Sequence, residues 1–496
     1  GKSLYPTEMR YKYPKAGETN STVTANLYQL NSAKTTALNL GSFENHYIPQ
    51  LWQTNDANEI VIATSNRHHS KVDLIKVDTK SGNLTKLFSE TDNAWIETDN
   101  LTMEFLDDNS FLWASERDGY RQLYWYDKSG KLKKQIAKGN WEITDYYGYN
   151  PKTKEAYIQT TEKGSLNKVV SKLNINSGKT TLISYPEGNN SASFSKSFNY
   201  FINTNSTAAS PYKFVLKDAN GKEIKELQNN NELLSKLQKD NFVTKEFITI
   251  PNSVGDQLNA WIIKPKNFDP NKKYPLFMFQ YSGPGSQQVS NSWDGGNGIW
   301  FEMLAQKGYV VACVDGRGTG YKGAKFKKVT YKQLGKYEIE DQITAAKWFG
   351  NQSYIDKSRI GIFGWSFGGY MTSLAMTKGA DVFKMGIAVA PVTNWRYYDS
   401  IYTERFLQTP QENPEGYDQN SPTTFANLLK GKFLLIHGTA DDNVHFQNSM
   451  EFSEALIQNK KQFDFMAYPD KNHGIYGGQT RPQLYEKMTN FILENL

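Results

Sequence analysis

The segment GIFGWSFGGYM, Gly361–Met371, runs a short apolar stretch into a glycine-rich turn and out into a second apolar stretch. Ser366 stands between Gly364 and Gly368 as G-x-S-x-G, with a strand-like run before it and a helix-like run after it. That strand–turn–helix context is what a nucleophile elbow requires. Glycines beside the serine let the backbone fold back without Cβ clashes, so the hydroxyl projects from the end of a sheet. The helix that follows points free N–H groups to the same place, where an oxyanion develops during acyl transfer.

Outward from the elbow the same alternation continues. From about residue 240, strand-like segments such as YPLFMFQYSGPGS, YVVACVDGRGTG, KMGIAVAPV, KFLLIHGTADD and FDFMAYPD alternate with helix-like ones. The latter include GIWFEMLAQKG, EIEDQITAAKWFGNQ, NSMEFSEALIQNKK and RPQLYEKMTNFILENL. Strand and helix in turn predict a doubly wound, mostly parallel sheet with helices on both faces, an α/β-hydrolase over residues 236–496.

Residues 1–235 read differently. IKVDTKSGNLTKLF (Ile75–Phe88), YWYDKSGKLKKQI (Tyr124–Ile136), LNINSGKTTLI (Leu173–Ile183) and VLKDANGKEIKEL (Val215–Leu227) resemble one another. Their turn glycines, Gly82, Gly130, Gly178 and Gly221, are 48, 48 and 43 residues apart. Each motif follows a run of period two, so the unit is four short strands with an Asp/Asn-to-Gly turn between the outer two. A repeat of this length and content predicts β-propeller blades, about four of them. ANLYQLNSAKTTALNL (Ala25–Leu40) reads as the outer hairpin of a further blade. An open arc of blades leaves unpaired sheet edges, so an N-terminal portion that closes the ring is expected as a missing partner fragment.

The chain has 496 residues and a net charge of +6 without a basic block, which gives no reason to expect a nucleic-acid partner. No apolar run approaches the length of a transmembrane helix. The single cysteine, Cys313, lies in the apolar GYVVACVD and reads as a core residue, so neither an intrachain disulfide nor a cysteine metal site is expected. No H-E-x-x-H spacing or phosphate-binding fingerprint occurs, and no metal or cofactor is expected.

A hydrolase of this type needs its acid and base downstream, in the order Ser…Asp/Glu…His. Of six histidines, His46, His68 and His69 precede the elbow. His437, at a strand end, reads as a buried structural imidazole, and His445 begins a helix. His473, in YPDKNHGIYGG after the last strand, stands where the base belongs. HGTADDNV offers Asp441 or Asp442 as the acid, Asp441 being nearer the strand end. For the oxyanion, one donor is the Phe367 N–H. Tyr281, in QYSGPGSQQ, is a candidate second donor, or else a core aromatic.

The blocks YSGPGSQ, DGRGTGYKG, EDQITAAKW, GWSFGGYM, APVTNWRYYDSIYTERF, HGTADDNVHFQ and NHGI, in this order, resemble the prolyl oligopeptidase family of serine peptidases, above all its dipeptidyl peptidase IV branch. The resemblance spans essentially the whole chain, and the family joins a β-propeller to an α/β-hydrolase. It implies a Ser366–Asp441–His473 triad, with Tyr281 and the Phe367 N–H as oxyanion hole. It also implies a pocket walled by Val392, Trp395, Tyr398, Tyr402 and Val444, with Asn443 bonding the substrate carbonyl. A box of aromatic rings suits a flat pyrrolidine. The implied activity is release of amino-terminal Xaa-Pro or Xaa-Ala dipeptides from peptide substrates. QENPEGYD (Gln411–Asp418) resembles tripeptidyl relatives, and acylaminoacyl peptidases are a further alternative. A propeller-based binding module with a vestigial hydrolase is the alternative of another class. Phe367 departs from the tyrosine common in the family, and the glutamate pair by which that branch holds the substrate amino group has no match here. A periplasmic or secreted location and a homodimer are further expectations from the resemblance.

Overall fold

The computed structural model describes residues 4, 5, 8, 10–41, 43, 46–240 and 242–496. Four antiparallel four-stranded sheets come first, over 47–91, 103–135, 143–182 and 189–228, each a meander in sequence order. The four turn glycines join the third and fourth strands of their sheets, all at positive φ. Their recurrence has a second cause. A Cβ on Gly130, Gly178 or Gly221 would lie 2.0–2.5 Å from the carbonyl oxygen of Leu87, Ile136 or Ile183 at the outer edge of the sheet before. These three glycines therefore let their outer hairpins rest on the preceding sheet's backbone. Apolar side chains fill the space between sheets: Leu74, Phe111 and Trp113 between the first two, Leu123 and Ile158 between the next two, Tyr157 and Phe201 between the last two. The two-stranded hairpin Asn26–Gln29 and Lys34–Ala37 adds the expected fragment of a further blade.

Helix α1 (Asn231–Lys239) precedes an eight-stranded sheet. Its strands are β1 (Glu246–Pro251), β2 (Gln257–Ile263), β3 (Tyr274–Phe279), β4 (Val310–Asp315), β5 (Ile355–Trp365), β6 (Met385–Val389), β7 (Lys432–Gly438) and β8 (Asp464–Tyr468). They lie in the order β1-β2-β4-β3-β5-β6-β7-β8, and all pairs from β4 onward are parallel. The helices are α2 (Gly296–Gln306), α3 (Ala324–Lys328), α4 (Lys336–Gly350), α5 (Phe367–Thr377), α6 (Ser400–Leu407), α7 (Pro414–Asp418), α8 (Gln447–Gln458) and α9 (Thr480–Asn495). Successive β4 residues serve opposite faces, Val310, Ala312 and Val314 with α4, α5 and α8, Val311 and Cys313 with α2 and α9. Burial on both faces is why the strands read as continuous apolar runs. No helix among the described residues is long and apolar enough to cross a membrane.

Charged side chains join the blades to the hydrolase. Lys327 meets Glu116 at 2.6 Å and Glu97 at 3.0 Å, and Lys328 meets Asp92 at 2.6 Å. Burial alone raises the Glu97 carboxyl, but Lys327 and Arg405 hold it down to about 2. On α6, Arg405 makes a two-pronged pair with Asp99, at 2.7 and 3.0 Å. Its neighbour Glu404, with a fully buried side chain, accepts Nε and, at 2.7 Å, a terminal nitrogen of Arg67, and the Gly17 N–H at 2.7 Å. Removing one partner of such a pair strands a buried charge, so Arg67→Met is expected to cost about 3 kcal/mol of stability. Chemical denaturation checks this, and Arg67→Met/Glu404→Gln is expected to recover part of the loss.

Candidate active site

β5 ends at Trp365 and α5 begins at Phe367, so Ser366 alone makes the turn, at φ 61° and ψ −117°. Such a backbone costs a non-glycine residue about 1–3 kcal/mol and persists because its surroundings hold it. Here Ser366 N–H donates to the Val389 carbonyl at 2.8 Å, and Tyr370 N–H to the Ser366 carbonyl at 3.0 Å. The glycines supply room. A Cβ at Gly364 would lie 2.3 Å from the Gly368 carbonyl, one at Gly368 2.6 Å from the Gln280 carbonyl oxygen. Gln280 Nε2 donates to the Gly368 carbonyl at 2.7 Å, which fixes the next residue, Tyr281, beside the elbow. Burial raises the Tyr281 phenol, and its hydrogen bond with the Ser366 side chain opposes the rise. The Phe367 N–H opens α5, ahead of the first helical bond.

The loop that carries Asp441 and Asp442 follows β7. Asp441 is buried and Asp442 exposed, which separates two neighbours that look alike in sequence. Asp441 Oδ1 accepts from Asn443 N–H at 3.0 Å and Val444 N–H at 2.9 Å. Its Oδ2 lies 2.7 Å from His473 Nδ1 and 3.1 Å from His437 Nε2. Burial alone raises the Asp441 carboxyl, but hydrogen bonds from His437 and His473 bring it down to about 2. His473 sits in the loop after β8, and Trp365 Nε1 donates to its carbonyl at 3.0 Å. The elbow thus directly grips the loop that carries His473.

Ser366 and His473 open on one cavity of about 470 Å³, lined also by Tyr281, Tyr398, Asn443 and Trp365. Among the described residues no hydrogen bond joins the Ser366 hydroxyl to His473; such bonds are commonly loose without substrate. Behind the elbow the rings interlock. Trp395 stacks on Tyr402 at 5.8 Å, meets Tyr398 edge-on at 5.7 Å and packs on Phe367 at 5.5 Å. Val392 and Val444 are buried in the same cluster. Tyr398 Oη donates to Asn443 Oδ1 at 2.6 Å. Of the residues chosen from the sequence, Tyr281, Ser366, Tyr398, Asn443 and His473 line this cavity, whereas Val392, Trp395, Tyr402 and Val444 lie in the packed cluster behind it. Among the described residues no group of three or more His, Cys, Asp or Glu side chains is placed to hold a metal ion.

Sequence reasoning missed some contacts. His437 is buried as expected, yet it touches Asp441; its place four residues upstream of the acid was the available signal. Tyr13 belongs to a strap bonded to Tyr398 and Asn443 at the edge of the pocket. Its hydroxyl donates to the Asn443 carbonyl at 2.8 Å, Ala16 N–H to the Tyr398 carbonyl at 3.1 Å, and Ser400 N–H to the Pro14 carbonyl at 2.9 Å. An aperiodic stretch such as YKYPKAG announces none of this.

Gly368→Ala forces a methyl group against a carbonyl and is expected to cost about 1–3 kcal/mol, read as a lower thermal midpoint. Gly296→Ala, where a Cβ meets open space, serves as the neutral control. Asp441, at about 2 when folded, lies below its ordinary value of about 3.9, so its stabilisation is present above pH ~4 and lost as the pH falls toward ~2. Denaturation against pH is expected to show the gap between wild type and Asp441→Asn narrowing over that window.

The sequence profile of the prolyl oligopeptidase family matches residues 299–496, and that of the dipeptidyl peptidase IV (DPP IV) N-terminal region matches residues 1–212. The crystal structure of Porphyromonas gingivalis dipeptidyl peptidase 4 is 42% identical, with a TM-score of 0.95 over 100% of this chain and 70% of that one. “Probable dipeptidyl-aminopeptidase B” of Pyrenophora teres f. teres is 32% identical over 99% of this chain and 57% of its own length. “Probable dipeptidyl peptidase 4” of Aspergillus flavus is 32% identical over 96% of this chain and 64% of its own length. The chain thus spans roughly three-fifths of the length of these curated relatives. With elbow, blades and sheet order as described, these matches mean that the chain belongs to the prolyl oligopeptidase family of serine peptidases, in its dipeptidyl peptidase IV branch.

Proposed function

We propose that the chain carries the chemistry of a serine exopeptidase that releases amino-terminal Xaa-Pro or Xaa-Ala dipeptides. The observation that carries the reading is the 2.7 Å pair of His473 Nδ1 with buried Asp441, facing the same cavity as Ser366. Asp441 holds His473 in the tautomer whose Nε2 is free to accept a proton. Ser366 Oγ attacks the scissile carbonyl carbon while its proton passes to His473 Nε2. The carbonyl oxygen becomes an oxyanion between the Tyr281 hydroxyl and the Phe367 N–H. The intermediate collapses, the C–N bond breaks, and the amine leaves with the proton from His473. A water molecule, deprotonated by His473, then attacks the acyl-enzyme and frees Ser366.

Specificity in this reading comes from the ring cluster. Trp395, Tyr398 and Tyr402, with Val392 and Val444, form a compact, largely apolar wall suited to a pyrrolidine ring or a methyl group, neither of which brings a polar atom that needs a partner. Asn443, held by Tyr398 at its side chain and Tyr13 at its main chain, presents its amide to the substrate carbonyl.

The test compares chromogenic Xaa-Pro and Xaa-Xaa-Pro substrates, with fluorophosphonate labelling of Ser366 measured in parallel. Faster release from Xaa-Pro is expected, together with labelling that Ser366→Ala abolishes. Faster release from the tripeptide overturns the dipeptidyl reading in favour of a tripeptidyl one. No labelling of folded protein overturns the peptidase reading and favours a binding module.

A further inference from the structure

His437 closes β7 with no exposed surface, and the chemistry above does not use it. Its Nε2 lies 2.8 Å from the Val444 carbonyl oxygen and 3.1 Å from Asp441 Oδ2. Both neighbours of Nε2 are acceptors, so Nε2 carries a proton. Its Nδ1 lies 2.7 Å from the Ser449 hydroxyl, at the start of α8, and that hydroxyl can donate. A neutral ring therefore satisfies every contact, and no second positive charge enters the site. The Phe446 ring stands edge-on at 5.6 Å, and His445, the other histidine of this loop, turns away to the Tyr11 hydroxyl.

We infer that His437 is a positioning residue: its Nε2–H, anchored on the Val444 carbonyl, pins Asp441 Oδ2 where that oxygen receives the Nδ1–H of His473. This rests on the reading of Asp441 as the acid of the triad. With Oδ1 taken by two main-chain N–H groups and Oδ2 shared by two imidazoles, the carboxylate cannot rotate about Cβ–Cγ without breaking bonds to buried groups. Sharing Oδ2 also weakens its basicity, so that the proton won from Ser366 stays on His473 instead of passing to Asp441.

The side chains available for substitution separate this role from mere packing. The amide nitrogen of glutamine reaches the position of His Nε2, whereas that of asparagine reaches the position of Nδ1. The full chain is compared with His437→Gln, His437→Asn and His437→Phe. The readouts are the rate of Ser366 acylation by a fluorophosphonate across pH, and the thermal midpoint. His437→Gln is expected to stay near wild type, while His437→Asn and His437→Phe react about tenfold more slowly, the size of a hydrogen bond to a charged group. In those two the pH limb of His473 is expected to move upward, because an Asp441 freed of one donor holds the imidazolium more strongly.

Wild-type rates and an unmoved limb in a folded Asn or Phe variant overturn the inference. So does a loss in all three, glutamine included, that follows thermal stability with the limb unmoved, since that marks a packing role. If the Phe variant does not fold, the Gln–Asn pair decides. Absence of labelling in the wild type overturns the triad reading itself, and this inference with it.

Discussion

The active site hangs on a contact in which no side chain takes part: the backbone of Gly368 against the carbonyl of Gln280. Because no Cβ intervenes, the start of α5 drops onto the end of β3, and Gln280 can bond back to Gly368. That closeness lets Ser366 hold a costly backbone conformation, and it puts Tyr281 next to the serine. The strand order then sets the rest. β5 has β3 on one side and β6 on the other, with β7 and β8 beyond, so loops leaving the same sheet edge deliver Tyr281, Ser366, Asp441 and His473 to one place. Trp365, reaching from the elbow to the His473 carbonyl, closes the circuit.

The pocket side is tied to the blades. Tyr402 sits on α6 just before Glu404 and Arg405, and each of these two is bound to a residue of the blade region, Arg67 and Asp99. The Tyr13–Ala16 strap binds the loop that enters α6 and the main chain of Asn443. The hydrolase sheet alone would leave α6, in the insertion between β6 and β7, with its charged face unmatched. The blade region therefore braces α6 and its ring cluster from outside, through charge pairs whose partners lie hundreds of residues apart in sequence.

This division explains what could be read from the residues. The blades were legible because Gly82, Gly130, Gly178 and Gly221 recur at a positive φ, and the last three also lay their hairpins on the backbone of the preceding sheet. The elbow was legible because G-x-S-x-G states its own steric requirement. Asp441 could be distinguished from Asp442 only weakly, because the difference is burial, which two adjacent aspartates do not display. Tyr13 and Trp365 carried no signal of their contacts, and His437 only its place four residues before Asp441. Each acts on a residue distant in sequence or through a main-chain carbonyl, and neither leaves a periodic trace.

The same contrast bears on the electrostatics. At the junction, carboxylates such as Glu97 stay ionised because lysine and arginine come from the opposite part of the chain. Among the described residues no lysine or arginine is paired with the Asp441 carboxylate; two backbone N–H groups and two imidazoles hold it instead. A full cation there would hold the carboxylate more tightly but, in the proposed mechanism, would oppose the positive charge that His473 takes on from Ser366. Neutral donors stabilise Asp441 while leaving its field directed at His473. A buried histidine that is neutral in the tautomer fixed by Val444 and Ser449 meets that requirement, and a lysine or arginine at position 437 would not.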